Sequence, residues 1–299
     1  MCNYVLEFKG PHQINEDVHL ALQSLQRLIR AEVSQHEHHC VIRICGMDQG
    51  DIVIQNIAVY LVGAIASCVA FNMEIRSALF NEETLIPDLH RDVKNVVGEN
   101  NNIDENEKTY ERNPWLWEGI SHLFLHLSLE NATHHPPDRL LAKSSIHLNV
   151  KDHGLDVIAL YGTDSLGVTL GECKAYLQRP AKAITDAANR LGEVDGNLRD
   201  AEIRATLSQF RSSLLSTQQD MLVRSFWQNE RAYFPMVCCD SSNCIDWAMN
   251  RLVLRRLQPP TNRKYLVSLS IDSAEFFFDS VSEAMRAYAC TDGGGTSSV

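Results

Sequence analysis

Two apolar runs that lie close together, Leu155 to Tyr161 and Val168 to Tyr176, constrain the fold more than any other feature of the chain. Both are rich in Val, Ile, Leu and Tyr, and the turn-forming segment Gly162 to Gly167 separates them, so they read as a β-hairpin. With the turn centred on Asp164, Tyr161 faces Gly167, and counting outward sets Asp156 opposite Glu172. Directly paired residues share a sheet face, with Cβ atoms about 5 Å apart. The period of two returns Lys174 to that face and turns Cys173 away from it. Three charged side chains thus converge within otherwise apolar sequence, and Gly171 leaves room for close backbone approach beside Glu172.

Two carboxylates on one face suit a hard cation, which takes oxygen ligands and leaves positions for water and substrate phosphate. Asp156 and Glu172 are the candidate metal ligands. A nearby ammonium can orient a water or stabilise charge on a phosphodiester oxygen, and Lys174 suits that part. The plainer alternative makes Glu172 and Lys174 the solvated face of an edge strand, with Asp156 as punctuation at a strand start.

At these residues the chain resembles the PD-(D/E)xK nuclease superfamily, with Asp156 as the motif Asp and Glu172-Cys173-Lys174 as the (D/E)xK element. The resemblance implies an α+β fold whose restriction-endonuclease-like core runs helix, three-stranded antiparallel meander, helix, further strand. It also implies another acidic residue on the first core helix. The segment 113–130 fits that helix: Asn113 can cap it, Pro114 suits its first position, and Leu116, Ile120, Leu123, Phe124 and Leu127 form an apolar stripe. Glu118, at the edge of the stripe, is the third candidate ligand; a Glu favoured by the helix dipole is the other reading. More narrowly, the stretch Leu170 to Tyr176 followed by a long helical tract is similar to the HamA nuclease subunit of the Hachiman antiphage system, over residues 111–290. That similarity implies a magnesium-dependent DNA nuclease, with manganese as a substitute ion, restrained or delivered by a HamB-like helicase partner. A nuclease-like fold used for nucleic-acid binding or assembly without chemistry is the alternative.

The 299 residues carry a formal net charge of −11, unlike a protein that binds DNA tightly through surplus Lys and Arg. The imbalance is uneven: residues 1–110 carry −8 and the remainder −3. The acidic front can shield the site, dock a basic partner, or serve solubility alone. Nine cysteines show no paired framework and no secretory signal opens the sequence, which points to a reducing cytoplasm. Cys238, Cys239 and Cys244 lack a fourth ligand at zinc-site spacing. His36, His38, His39 and Cys40 cannot all converge from extended backbone, so they read as a polar loop.

Along the chain, residues 3–9 read as a strand and Asn15 as the cap of a helix ending near Val33, with Val18, Leu22, Leu25 and Ile29 on one face. Val41 to Cys45 reads as a strand. The charge-free stretch Ile52 to Phe71 is long enough to span a bilayer, but Gln55, Asn56, Tyr60 and Ser67 interrupt it and its flanks are acidic, so a buried helix is expected. The polar tract from Asp92 to Tyr110 reads as a boundary between an N-terminal α+β docking or regulatory region, 1–105, and the nuclease domain, 106–290. Ile146 to Val150 reads as the first meander strand, Asp152 as a turn residue, Pro180 to about Arg231 as a helical insertion, and Tyr265 to Ile271 as the returning core strand. Residues 279–289 read as a last helix and 291–299 as a disordered tail. Arg190, Arg199, Arg204, Arg211 and Gln209 can reach phosphates or form a solvated helix face. The cluster of Arg251, Arg255, Arg256, Arg263 and Lys264 suits DNA backbone or intersubunit ion pairs. No P-loop or dinucleotide fingerprint is present, so ATP-driven work is left to a partner.

Overall fold

In a computed structural model of the chain, the described residues are 11–47, 50–80, 87–128, 138–147, 154–162, 166–211, 214, 216, 219 and 230–290. The expected strand at 3–9, the turn residues Asp152 and Asp164, and the tail 291–299 lie outside them. Seven strands form one mixed sheet in the order β1-β2-β7-β6-β5-β4-β3. They are β1 (Arg30–Gln35), β2 (Cys40–Cys45), β3 (Leu140–Lys143), β4 (Val157–Tyr161), β5 (Gly167–Ala175), β6 (Arg231–Asp240) and β7 (Tyr265–Ile271). The central run β2-β7-β6-β5 is parallel, and the pairs β1-β2, β5-β4 and β4-β3 at its two ends are antiparallel. The fold is therefore of the mixed α+β kind.

Both faces of the central strands are covered, which is why β4, β5 and β6 are buried nearly throughout. Val157, Ala159, Cys173, Phe234 and Val267 face one apolar layer, with α1 (Pro11–Leu28), α2 (Asp51–Phe80), α3 (Pro87–Val97), α5 (Asn113–Leu127) and α9 (Ala274–Cys290). Ile158, Leu160, Leu170, Tyr233 and Val237 face the other, with α6 (Pro180–Asp195), α7 (Asp200–Phe210) and the one-turn α8 (Leu252–Arg255). A one-turn helix α4 (Glu105–Glu107) and a π turn, Lys108–Arg112, lead directly into α5. Among the described residues no helix is long and apolar enough to cross a membrane.

Several elements differ from the sequence reading. Asn15 lies inside α1 rather than capping it, and α1 stops at Leu28 because Arg30–Gln35 pairs with β2 as an edge strand. Asn113 is the first residue of α5, not its cap; its side-chain oxygen accepts from Arg112 Nε at 3.0 Å, and Arg112 also meets Asp279 of α9 at 2.6 Å. The polar tract after Asp92 still buries Val93 and Val97 of α3. The strand that pairs with β4 on its outer side is Leu140–Lys143; of the strand expected at Ile146 to Val150, residues 146 and 147 are not in a strand and 148–150 lie outside the described residues. The helices α6 and α7 occupy the first part of the expected helical insertion, most of residues 212–229 lie outside the described residues, and Arg231 begins β6, which separates β5 from the returning strand expected at Tyr265 to Ile271. The boundary expected near residue 105 falls between α3 and α5, and the sheet spans it, since β2 pairs with β7.

Candidate metal centre

The β4-β5 register brings the motif residues together. Tyr161 pairs with Gly167 and Val157 with Gly171, so the residues one step beyond, Asp156 and Glu172, are opposed. Gly171 allows this closeness: a Cβ there would meet Val157 Cβ at 3.0 Å and the Phe234 carbonyl at 3.4 Å. Asp156 sits just before β4, where its Oδ2 accepts the Cys173 backbone N–H at 2.6 Å. Its neighbour Leu155 donates its N–H to Glu202 of α7 at 2.5 Å. The Asp156 carbonyl is 2.8 Å from His122 Nε2 on α5. Burial, with Lys143 nearby, pulls His122 down to about 3, so its neutral ring donates that bond. Three elements thus fix Asp156 in position.

Asp156, Glu172, Lys174 and Glu118 line one cavity of about 490 Å³, together with His147, Asp186 and Arg190. Lys174 Nζ donates to Glu172 Oε1 at 2.6 Å. The other Glu172 oxygen, Oε2, is buried and has no hydrogen-bond partner among the described residues. Single ligand atoms of Glu118, His147 and Asp156 lie within 4.8 Å of one another. His147 donates its backbone N–H to Glu118 Oε1 at 3.0 Å, and its Nδ1 lies 3.1 Å from the same oxygen. Glu118, expected at the edge of the apolar stripe of its helix, is buried.

The electrostatics follow from packing carboxylates where water is scarce. Burial, then the Glu172 and Glu118 carboxylates, pushes Asp156 up to about 8. Burial likewise raises Glu172, against the opposing pull of Lys174. Burial alone would lower Lys174, but the Glu172 and Asp156 carboxylates outweigh it and hold the ammonium above its ordinary value. A cavity that raises its own acids and leaves a carboxylate oxygen without a donor fits a cation. The ligand groups Glu118, His147 and Asp156 can hold a metal ion.

His147 was missed from the sequence because it was assigned to a strand; it lies on the loop between β3 and β4, and no spacing links it to Glu118. Trp115 Nε1 donates to its carbonyl at 2.7 Å and holds that loop against α5. Of the arginines expected to reach phosphate, Arg190 lines the cavity but bonds Glu193 at 3.0 Å. Arg199 pairs with Glu193 at 2.8 Å and Arg204 with Asp200 at 3.0 Å, so both serve the helices. In the C-terminal basic cluster, Arg263 pairs with Glu230, and Lys264 is buried with its Nζ near the Leu257 carbonyl. Compared with models of known protein families the chain matches none, and no curated protein matches it.

Proposed function

We propose that the chain is a metal-dependent phosphodiester hydrolase acting on DNA. The observation that carries this reading is the convergence of Asp156, Glu172 and Lys174 in one cavity where Glu172 Oε2 is buried without a partner among the described residues. The order α5, antiparallel β3-β4-β5, α6 and α7, then β6 parallel to β5 supports the reading, being compatible with the core that the PD-(D/E)xK resemblance implies. A divalent cation in such a cavity supplies an acidified water and neutralises charge on a phosphodiester oxygen.

The chain's own groups have distinct tasks. Asp156, Glu172, Glu118 and His147 are the donors for a divalent ion, Mg2+ or Mn2+; the imidazole widens the choice beyond hard oxygen-seeking ions. The Cys173 N–H and the His122 ring hold Asp156 in place at the cavity wall. Lys174, held in its cationic form beside Glu172, orients the attacking water and donates hydrogen bonds to the phosphate. With a net charge of −11 and Arg190 and Arg199 engaged by acids, affinity for duplex backbone is low. A partner helicase that delivers or restrains the nuclease, as in the Hachiman system, accounts for that weakness.

The test is cleavage of linear and single-stranded DNA by the purified full chain, with Mg2+ or Mn2+ and with EDTA, beside Glu172→Ala. Metal-dependent cutting that disappears in the variant, with an unchanged melting profile, is the expected result. Full activity in Glu172→Ala would refute the assignment.

A further inference from the structure

A second cavity of about 460 Å³ abuts the first, and nothing in the catalytic arrangement uses it. Their linings are neighbours on three elements. Asn113 lines the second and Pro114 the first; on β5, Lys174 lines the first and Ala175 and Tyr176 the second; on α6, Lys182 lines the second and Asp186 the first, one turn apart and ion-paired at 2.5 Å.

The lining has the composition that an unpaired nucleotide needs. Two tyrosine rings, Tyr110 and Tyr176, offer flat apolar faces, and Tyr110 is 69% exposed. Lys182 Nζ lies 5.5 Å from the centre of the Tyr176 ring. Arg179 is exposed at the same wall and has no carboxylate partner among the described residues, so its guanidinium is available to phosphate. The acids on the opposite wall, Glu105 and Glu275, are both answered by Lys108 at 3.5 Å. Gln178, Thr109 and Asn113 add amide and hydroxyl groups that can meet a base edge.

We propose that this second cavity holds the nucleotide next to the scissile phosphate in a single-stranded substrate, a reading that rests on the phosphodiesterase assignment. The base stacks on Tyr176 or Tyr110 and its phosphate meets Arg179. A base within a duplex is already stacked on its neighbours and cannot take this position, so the site selects unpaired strands.

The experiment measures binding of a fluorescein-labelled oligothymidylate to the full chain by anisotropy in EDTA, and KM for its cleavage with Mn2+. Tyr176→Ala and Arg179→Gln should each raise both quantities, Tyr176→Ala by about 5- to 150-fold. Tyr176→Phe should retain wild-type values, and Arg179→Gln should flatten the salt dependence of binding by about 0.7 in log–log slope. Tyr110→Ala, at an exposed ring, serves as the variant that leaves packing untouched, and each variant is checked by circular dichroism melting. Unchanged Kd and KM in all three substitutions would overturn the proposal, as would displacement of the oligomer by thymidine monophosphate at equal affinity, which would mark a free-nucleotide site. If the wild type cuts nothing but Tyr176→Ala still weakens binding, the catalytic reading fails and the cavity stands. If the wild type neither cuts nor binds, both fail.

Discussion

Replacing Asp156 by Asn, its neutral isostere, should stabilise the metal-free protein while ending its activity. The folded state holds the Asp156 proton up to about 8, through burial and the neighbouring carboxylates, whereas the unfolded chain releases it near 3.8. Between those values the native state binds more protons than the unfolded one, so stability falls as pH rises through that window. At pH 7 the window spans about three units, each worth about 1.4 kcal/mol, for a ceiling of about 4 kcal/mol. Water reaching the partly buried side chain, and the need of the Asn amide for an acceptor, reduce the expected gain to about 2 kcal/mol. The bond from the Cys173 N–H survives, because the Asn carbonyl still accepts. Urea denaturation in EDTA from pH 5 to pH 8 reads this directly: the gap between variant and wild type should widen with pH. In saturating Mn2+ the order should reverse, since only the wild type gains the binding energy, about 2.7 kcal/mol at a hundredfold excess over Kd. A variant no more stable than wild type at pH 7 in EDTA, or a gap that does not change with pH, would refute the reasoning.

Other substitutions separate the roles of neighbouring groups. Lys174→Ala should lower kcat by about 10²- to 10⁴-fold and also lower the urea midpoint, because Glu172 loses its partner at 2.6 Å; normal kcat would remove Lys174 from the chemistry. His147→Ala should weaken Mn2+ binding by about 10- to 100-fold in calorimetric titration, and an unchanged affinity would exclude the imidazole from the donor set. Gly171→Val should cost about 1–3 kcal/mol of stability, because its side chain has to displace Val157 or the Phe234 carbonyl; a neutral result in urea would show that the β4-β5 approach is looser than described.

The hairpin was legible because its two strands are apolar, close in sequence and closed by a glycine-bearing turn; the observed pairing of Tyr161 with Gly167 follows from those facts. Strands β1 and β3 were not, for the opposite reason. β1 is exposed along nearly its whole length, and β3 has four residues, so neither carries an apolar alternation. β6 was hidden by Pro235, which counts against a central strand. The structure shows how it is accommodated: β6 touches β7 at Tyr233 and Lys264, the ladder resumes only at Met236, and Pro235 falls in the gap, where no N–H is required. At the site, Asp156, Glu172, Lys174 and Glu118 could be read because register and helix phase place them. His147 could not, since the path of a loop places it.

The position of β7 has a consequence for the order in which the protein can be made. Its neighbours on either side are β2, more than two hundred residues earlier, and β6. On a ribosome the first helices and strands emerge long before the strand that joins them to the rest, and until residues 265–271 appear the growing chain carries two unpaired sheet edges, on β2 and on β6. Such edges template pairing with other chains. Contacts this distant in sequence also form slowly. A chain that stops short of Tyr265 would therefore be expected to aggregate rather than to fold as two independent halves, because the strand that joins them comes more than two hundred residues after β2.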